Sequence, residues 1–269
     1  MKALTFTLIA EPPERLDLSP LTPARLAGLD KRAMLAVRLG QSKRASTVGD
    51  IFRVAGGNLG DIVFDGGSMR FDGVGAGLRD GQIRVIGDVG AQAGRQLGGG
   101  RLTIQGSAGP HAGSAMRGGR LEIFGNAGDL LAAPLAGELA GMAGGLLVVH
   151  GKAGARAGDR MRRGRLAVLR GSGPQAGSRM VAGTLVVAGG AGAMPGYLMR
   201  RGSILLDRPP ETLSPSFVET GAPDSAFARL IDRLLTTEGI LKRSLLGSVQ
   251  RRFSGDNAVA GRGEILVAA

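Results

Sequence analysis

The chain has 269 residues, a formal net charge of +12, 48 glycines and only 3 % aromatic residues. It contains no cysteine, which excludes disulfides, thiolate metal sites, iron–sulfur ligation and cysteine nucleophiles. Apolar residues make up 43 % of the sequence, which argues against disorder, and the glycines lack the strict third-position period of collagen.

Residues 1–58 are predicted to form an N-terminal cap. The segment ALTFTLIA predicts a strand, and TPARLAGL predicts a short helix that Thr22 and Pro23 open. The apolar stretch near the start is soon broken by Glu11 and Pro12, without a small-residue cleavage site. No apolar run approaches the roughly eighteen residues of a membrane span. These features predict a cytoplasmic chain that does not enter a membrane.

Residues 59–209 are predicted to be a repeat region. Short apolar segments start at intervals of 19, 19, 26, 19, 19 and 19 residues, at Ile83, Leu102, Leu121, Leu147, Leu166, Leu185 and Ile204. The long unit carries an insertion in region 129–145, within DLLAAPLAGELA, which is expected to be a lid or a docking element. A shorter, irregular unit is predicted to start at Met69.

Other residues recur at fixed offsets from each start. Glycines four and seven residues on predict corners with positive φ or close passage between units. A long apolar residue fourteen positions on, allowing for the insertion, predicts an internal ladder of Leu97, Met116, Met142, Met161, Met180 and Met199. Such a period is typical of a β-solenoid, so we predict an all-β fold. Specifically, we expect a right-handed parallel β-helix of about 19-residue coils with small α+β caps.

Residues 210–269 are predicted to form the second cap. The amphipathic pattern in DSAFARLIDRLLTTEG predicts one helix that starts at Asp224 or Ser225 and ends at Gly239. A final strand is expected in GEILVAA.

The sequence indicates no catalytic or metal site. The two histidines, His111 and His150, occupy non-equivalent repeat positions, and no Ser/His/Asp arrangement or second pair of metal ligands has a recognisable spacing. The glycine-rich stretch GDVGAQAG lacks the ending of a phosphate-binding P-loop. We therefore expect no catalytic site in this chain, so that the chain alone is not expected to be an enzyme.

The distribution of arginine is the most informative polar feature of the sequence. Residues 151–203 contain ten basic side chains and a single acid, Asp159. Because equal offsets stack in a solenoid, we expect these basic residues along one edge. The candidate binding residues, at offsets fifteen, sixteen and eighteen, are Arg117, Arg162, Arg163, Arg165, Arg200 and Arg201. The edge either binds an extended polyanion or is a solvated face that prevents lateral pairing.

The repeats resemble a known family. GGRLTIQGSAG (99–109) and GGRLEIFGNAG (118–128) resemble the repeat of the C subunit of formylmethanofuran dehydrogenase, and are similar to the C-terminal β-helix of glutamate synthase. VGDIFRVAGG (48–57) and SGDNAVAGRGEI (254–265) extend the likeness to the flanks. In length and flanks the chain resembles the C subunit family of the formyltransferase/hydrolase complex of aerobic one-carbon-oxidising bacteria.

The resemblance implies a non-catalytic scaffold subunit. The complex handles formyl groups between tetrahydromethanopterin and a methanofuran-type cofactor and releases formate. The resemblance places metals and catalytic carboxylates in amidohydrolase-like, molybdopterin-enzyme-like and formyltransferase partner subunits. Since such cofactors carry glutamate chains, the arginine edge is a candidate to hold the polyglutamyl tail, although the resemblance itself carries over no binding residue. The alternatives are a glutamate-synthase-like structural domain and a basic nucleic-acid-binding rod, which the low aromatic content disfavours.

Overall fold

The computed structural model describes residues 2–40, 45–220, 226–241, 244 and 249–268. Its strands are β1 (Ala3–Leu8), β2 (Leu16–Asp17), β3 (Phe52–Ala55), β4 (Asn58–Asp65), β5 (Phe71–Asp72), β6 (Gln82–Ile86), β7 (Arg101–Ile104), β8 (Arg117–Ile123), β9 (Ala143–Val149), β10 (Arg163–Val168), β11 (Thr184–Val187), β12 (Ser203–Leu206), β13 (Val218–Glu219), β14 (Val249–Gly255) and β15 (Gly263–Ala268). Its helices are α1 (Pro23–Leu26), α2 (Lys31–Leu35), α3 (Val48–Ile51) and α4 (Ala226–Thr237). The described part of the chain is therefore mostly sheet, as predicted.

One sheet of thirteen strands dominates the fold, in the order β13-β14-β15-β12-β11-β10-β9-β8-β7-β6-β4-β1-β3. From β1 to β15, neighbours in this order are parallel. Antiparallel strands lie at both ends, β3 beside β1 and β14 beside β15. The small second sheet pairs β2 with β5.

The register confirms the 19-residue repeat. Each predicted start residue from Ile83 to Leu185 pairs with the start of the next unit, as Ile83 does with Leu102 and Leu185 does with Ile204. A second row of parallel bridges lies six residues further along each unit, as in Val89 with Ala108. The strand of each unit, and the residue six positions after its start, therefore both stack on their equivalents in the next unit.

The predicted start at Met69 is wrong. The strand that precedes β6 in the sheet is β4, in which Ile62 pairs with Ile83, so the first unit spans 21 residues. Phe71 belongs to the small sheet, where it pairs with Leu16 and is completely buried. The apolar segment after Met69 thus packs against the N-terminal segment and does not start a unit.

The predicted methionine ladder is confirmed. Met116, Met142, Met161, Met180 and Met199 all have 0 % exposure. Each of the first four places its terminal methyl against a glycine of the next unit. A Cβ on Gly164, for example, would lie 2.8 Å from Met142 Cε. The glycine that follows each methionine in the repeat therefore leaves room for the methionine of the preceding unit.

The glycine corners follow the prediction only in part. Glycines seven residues after a start, such as Gly109 and Gly192, allow close passage, because a Cβ would lie 2.7 and 2.9 Å from the preceding unit. Left-handed backbone occurs at some glycines four residues after a start, such as Gly87, and at every described glycine seventeen residues after one, allowing for the insertion, such as Gly164. It also recurs at offsets nine, eleven and thirteen, and offsets nine and thirteen are held by non-glycine residues, including Gln92, Gln175 and Arg179.

Helix α4 packs on the outer face of the sheet. Its residues Ala228, Ile231 and Leu235 are buried against outward-facing side chains of β9 to β12 and β15, namely Val148, Ala167, Val186, Leu205 and Leu266. The helix ends just before Gly239, whose φ is +71°, as predicted. The predicted start at Asp224 or Ser225 lies outside the described residues. No helix in the described ranges is long and apolar enough to cross a membrane.

Four phenylalanines lie at the end of the large sheet that contains β1 and β3. Phe6, Phe52, Phe64 and Phe71 form a buried cluster with ring centroids 5.1 to 5.9 Å apart. Aromatic side chains bury more apolar area than the aliphatic residues of the repeats, so they suit the end of the core where no further unit stacks.

Candidate functional site

Four of the predicted arginines line one groove. Arg162 and Arg163 follow Met161, and Arg200 and Arg201 stand at the equivalent positions two units later. Val181 and Ala182, from the unit between, complete the wall of a groove of about 660 Å³. The two arginine pairs are therefore about 9.6 Å apart, which is two strand spacings.

The backbone under these arginines is fixed by the ladder. The Arg162 N–H donates to the Met142 carbonyl at 2.8 Å, and the Arg200 N–H donates to the Met180 carbonyl at 2.8 Å. All four side chains are exposed, and none pairs with a carboxylate elsewhere in the described chain. Arginine stays protonated, so the groove carries four uncompensated positive charges.

A second cavity of about 430 Å³ extends the groove toward the insertion. It shares Arg162, Val181 and Arg200 with the first and adds Arg160 and Arg179. These two arginines were not among the predicted binding residues, although both stand thirteen residues after a start. This shared offset was the sequence signal that could have identified the two arginines as neighbours in one row. The residues that line these two cavities together form the arginine groove.

Not every predicted residue lies in this groove. Arg117 is exposed at the same offset as Arg162, but Ala143 occupies the row between them. The Arg165 guanidinium lies on the α4 side, where its Nη2 atom is 2.8 Å from Glu238 Oε1. Arg117 extends the row, whereas Arg165 is engaged in an ion pair.

The prediction that all ten basic residues lie along one edge is wrong. Lys152 and Arg170 line a separate groove, in the corners that follow β9 and β10. Arg156, nine residues after a start, pairs with the buried carboxylate of Asp159 and does not line the arginine groove. The reason is geometric, because offsets of four to five and of nine belong to different parts of a unit from the offsets of thirteen to sixteen that line the arginine groove.

The insertion is held beside the arginine groove by one ion pair and one hydrogen bond to its backbone. Glu138 accepts hydrogen bonds from Arg95, with Nη2 at 2.6 Å from Oε1, and these bonds lower the pKa of Glu138. Arg160 Nη1 donates to the Glu138 carbonyl at 3.1 Å. Next to it, Leu139 is 80 % exposed. The insertion therefore adds an exposed apolar side chain to one wall of the groove.

The two histidines do not form a catalytic arrangement. His150 Nε2 lies 2.9 Å from Glu122 Oε1, and its ring stacks on Phe124 at 4.5 Å. Burial lowers the pKa of His111, which favours the neutral imidazole. The described residues contain no group of three or more histidine, aspartate or glutamate side chains that could hold a metal ion.

No protein-family model matches the sequence. The C subunit of the formyltransferase/hydrolase complex Fhc from Methylorubrum extorquens is 53 % identical over 266 residues, which cover 98 % of this chain and 99 % of that protein. Among solved structures, the crystal structure of the formyltransferase/hydrolase complex FhcABCD from the same organism, in complex with methylofuran, contains a similar chain. The two superpose with a TM-score of 0.94 and 44 % identity, covering 98 % of this chain and 99 % of that one.

Proposed function

The chain belongs to the C subunit family of the formyltransferase/hydrolase complex, and from this we propose that it is a non-catalytic structural subunit of such a complex. The complex would transfer formyl groups between tetrahydromethanopterin and a methanofuran-type cofactor and release formate in the cytoplasm. Its partners would be amidohydrolase-like, molybdopterin-enzyme-like and formyltransferase subunits. The family assignment favours this function over that of a glutamate-synthase-like domain.

The architecture suits a scaffold. We propose that residues 59–209, including the insertion at 129–145, wind as a right-handed parallel β-helix between caps formed by residues 1–58 and 210–269. Two parallel rows six residues apart, both repeating with the same period, support this winding. Crossovers between parallel strands of one sheet are almost always right-handed.

We further propose that the arginine groove holds the polyglutamyl tail of the cofactor. The observation that carries this proposal is the absence of carboxylate partners for Arg162, Arg163, Arg200 and Arg201 within the described chain. Exposed ion pairs contribute only about 0.5 to 1 kcal/mol each, so several contacts to one tail are needed for binding. Arg117 would prolong the row, and Arg165 is left out because it pairs with Glu238.

The test replaces all four groove arginines by glutamine within the assembled complex. We expect a higher apparent KM for the polyglutamylated cofactor, more so at low salt, and no change for a cofactor with a truncated tail. The matched control replaces four exposed arginines elsewhere, namely Arg25, Arg53, Arg79 and Arg101. If the groove variant assembles and handles both cofactors as the parent does, the groove is only a solvated or partner-facing edge.

The structural role is tested separately. The isolated chain should show neither transferase nor hydrolase turnover, and a tagged copy expressed in its own host should co-purify with the other subunits. Turnover by the chain alone would refute the non-catalytic role.

A further inference from the structure

A ladder of side-chain acceptors runs along one corner of the repeats, five residues after each start. The Ser107 N–H donates to Asp88 Oδ1 at 2.7 Å, and the Asn126 N–H donates to Ser107 Oγ at 3.1 Å. The Lys152 N–H in turn donates to Asn126 Oδ1 at 2.9 Å. Each side chain in this corner ladder therefore satisfies the backbone N–H of the next unit.

The corner ladder stops at Lys152. An ammonium group cannot accept a hydrogen bond, and the N–H of Gly171, the next residue in the row, has no acceptor among the described residues. The neighbouring Ser172 Oγ is also buried without a partner. Gly171 itself is buried. Two adjacent donors thus lack the acceptor that buried polar groups normally have.

Gly171 and Ser172 are among the residues that line a groove of about 540 Å³ that carries positive charge. Lys152, Arg170 and Arg208 are exposed around it. The nearby carboxylate of Asp207 is already used, since it accepts from the Gly189 N–H at 2.9 Å and pairs with Arg208. Glu211 is the remaining acid among the residues that line the groove.

We propose that this corner groove is a second anion site, which takes a single oxyanion such as a phosphate or a carboxylate. One ligand oxygen accepts from the Gly171 N–H, while Lys152 and Arg170 supply the positive charge. Charge-assisted bonds of this kind are stronger than neutral ones. Glu211 repels further negative groups, so the site favours one oxyanion over a polyanion.

The corner groove is distinct from the arginine groove. Lys152 and Arg170 stand five and four residues after their unit starts, whereas Arg162 and Arg200 stand fifteen residues after theirs. The corner groove shares no lining residue with either cavity of the arginine groove. The corner site can therefore bind its ligand whether or not the arginine groove binds a cofactor tail.

The test titrates the purified full-length chain with inorganic phosphate at low salt, by calorimetry and thermal shift. We expect saturable phosphate binding and weaker binding of acetate. In the variant with Arg162, Arg163, Arg200 and Arg201→Gln, which lacks the charges of the arginine groove, phosphate should bind at one site and triglutamate should bind no more tightly than acetate. A triglutamate preference that survives in that variant would contradict a single-oxyanion site.

The decisive variant is Lys152→Asn. Asparagine restores a side-chain acceptor for the Gly171 N–H, as Asn126 provides one for Lys152. We expect at least tenfold weaker phosphate binding, with a Tm in phosphate-free buffer equal to or above that of the parent. Lys2→Asn removes the same charge at an exposed position far along the chain and should leave phosphate affinity unchanged.

Two further variants keep the test decisive if Lys152→Asn misfolds. Arg170→Gln should weaken phosphate binding, and Glu211→Gln should strengthen it a few-fold. The proposal fails if the parent shows no saturable binding. It also fails if Lys152→Asn and Arg170→Gln bind phosphate as tightly as the parent does.

Discussion

Gly263 and Met199 should be energetically coupled at the last step of the methionine ladder. A Cβ at Gly263 would lie 2.4 Å from Met199 Cε, 2.9 Å from Sδ and 3.0 Å from Cγ. These three nearest atoms all belong to one side chain, and Gly263 does not have a positive φ. Gly263→Ala therefore introduces overpacking without backbone strain, and we expect a loss of about 1 to 3 kcal/mol in unfolding free energy.

A double-mutant cycle isolates this contact. Met199→Ala alone should cost about 2 to 5 kcal/mol, because Met199 is fully buried. In the double variant the methionine no longer occupies the space that the new methyl needs, so the combined loss should be smaller than the sum by about 0.5 to 3 kcal/mol.

Urea unfolding followed by circular dichroism measures the four free energies. Gly98→Ala is the matched control, since its Cβ would have no neighbour closer than 3.9 Å and its φ is not positive. We expect that control to stay within about 0.5 kcal/mol of the parent. Strict additivity of Gly263→Ala and Met199→Ala would refute the packing argument.

Two further predictions concern α4 and the insertion. Leu235→Ala should cost about 2 to 5 kcal/mol and speed hydrogen exchange in α4 while the methionine ladder stays protected, whereas Leu234→Ala, on the exposed side of the helix, should have little effect. The Arg95 hydrogen bonds lower the pKa of Glu138 in the folded state, so the stability they confer is present above the unfolded pKa of about 4.3 and is lost as the pH falls through the folded pKa. Glu138→Gln should therefore destabilise at pH 7, and its free energy of unfolding in urea should approach that of the parent as the pH falls through the folded pKa of Glu138; a difference independent of pH would contradict this assignment.

The register of the parallel strands was predictable, because it follows from the spacing of the apolar start residues along the sequence. A start residue must stack on its equivalent in the next unit, so the spacing of Ile83, Leu102 and Leu121 specifies the register that the structure shows. The methionine row follows for the same reason. The unit before Ile83 was misplaced because its length differs from the period, and spacing alone cannot align an irregular unit.

The docking of α4 was missed, although the sequence carries a signal for it. The residue after each start changes from Arg84, Thr103 and Glu122 to Val148 and its apolar equivalents in later units. Alternation thus gives way to continuous apolar strands, which indicates sheet buried on both faces. This change of pattern points to a covering element over the later units, which is where α4 lies.

The engagement of Arg165 follows from that docking. Arg165 occupies the same offset as Arg120, so the repeat pattern alone cannot tell the two side chains apart. What distinguishes them is a residue far along the chain, because Arg165 meets Glu238 just beyond α4 whereas Arg120 meets Glu122 on its own strand. The offset of an arginine within its unit predicts which row it belongs to. Only the tertiary contacts show which arginines of that row have no carboxylate partner.

The free arginines illustrate what a repeat can offer a long anionic ligand. A single exposed ion pair is worth little, partly because two flexible side chains must be ordered for one contact. Here the backbones of Arg162 and Arg200 are held by hydrogen bonds to the preceding units, and the strand spacing fixes the distance between the two pairs. A tail that engages one pair is therefore presented to the next at high effective concentration. The unit between contributes Val181 and Ala182 in place of further charge, which halves the density of like charges along the row and limits their mutual repulsion.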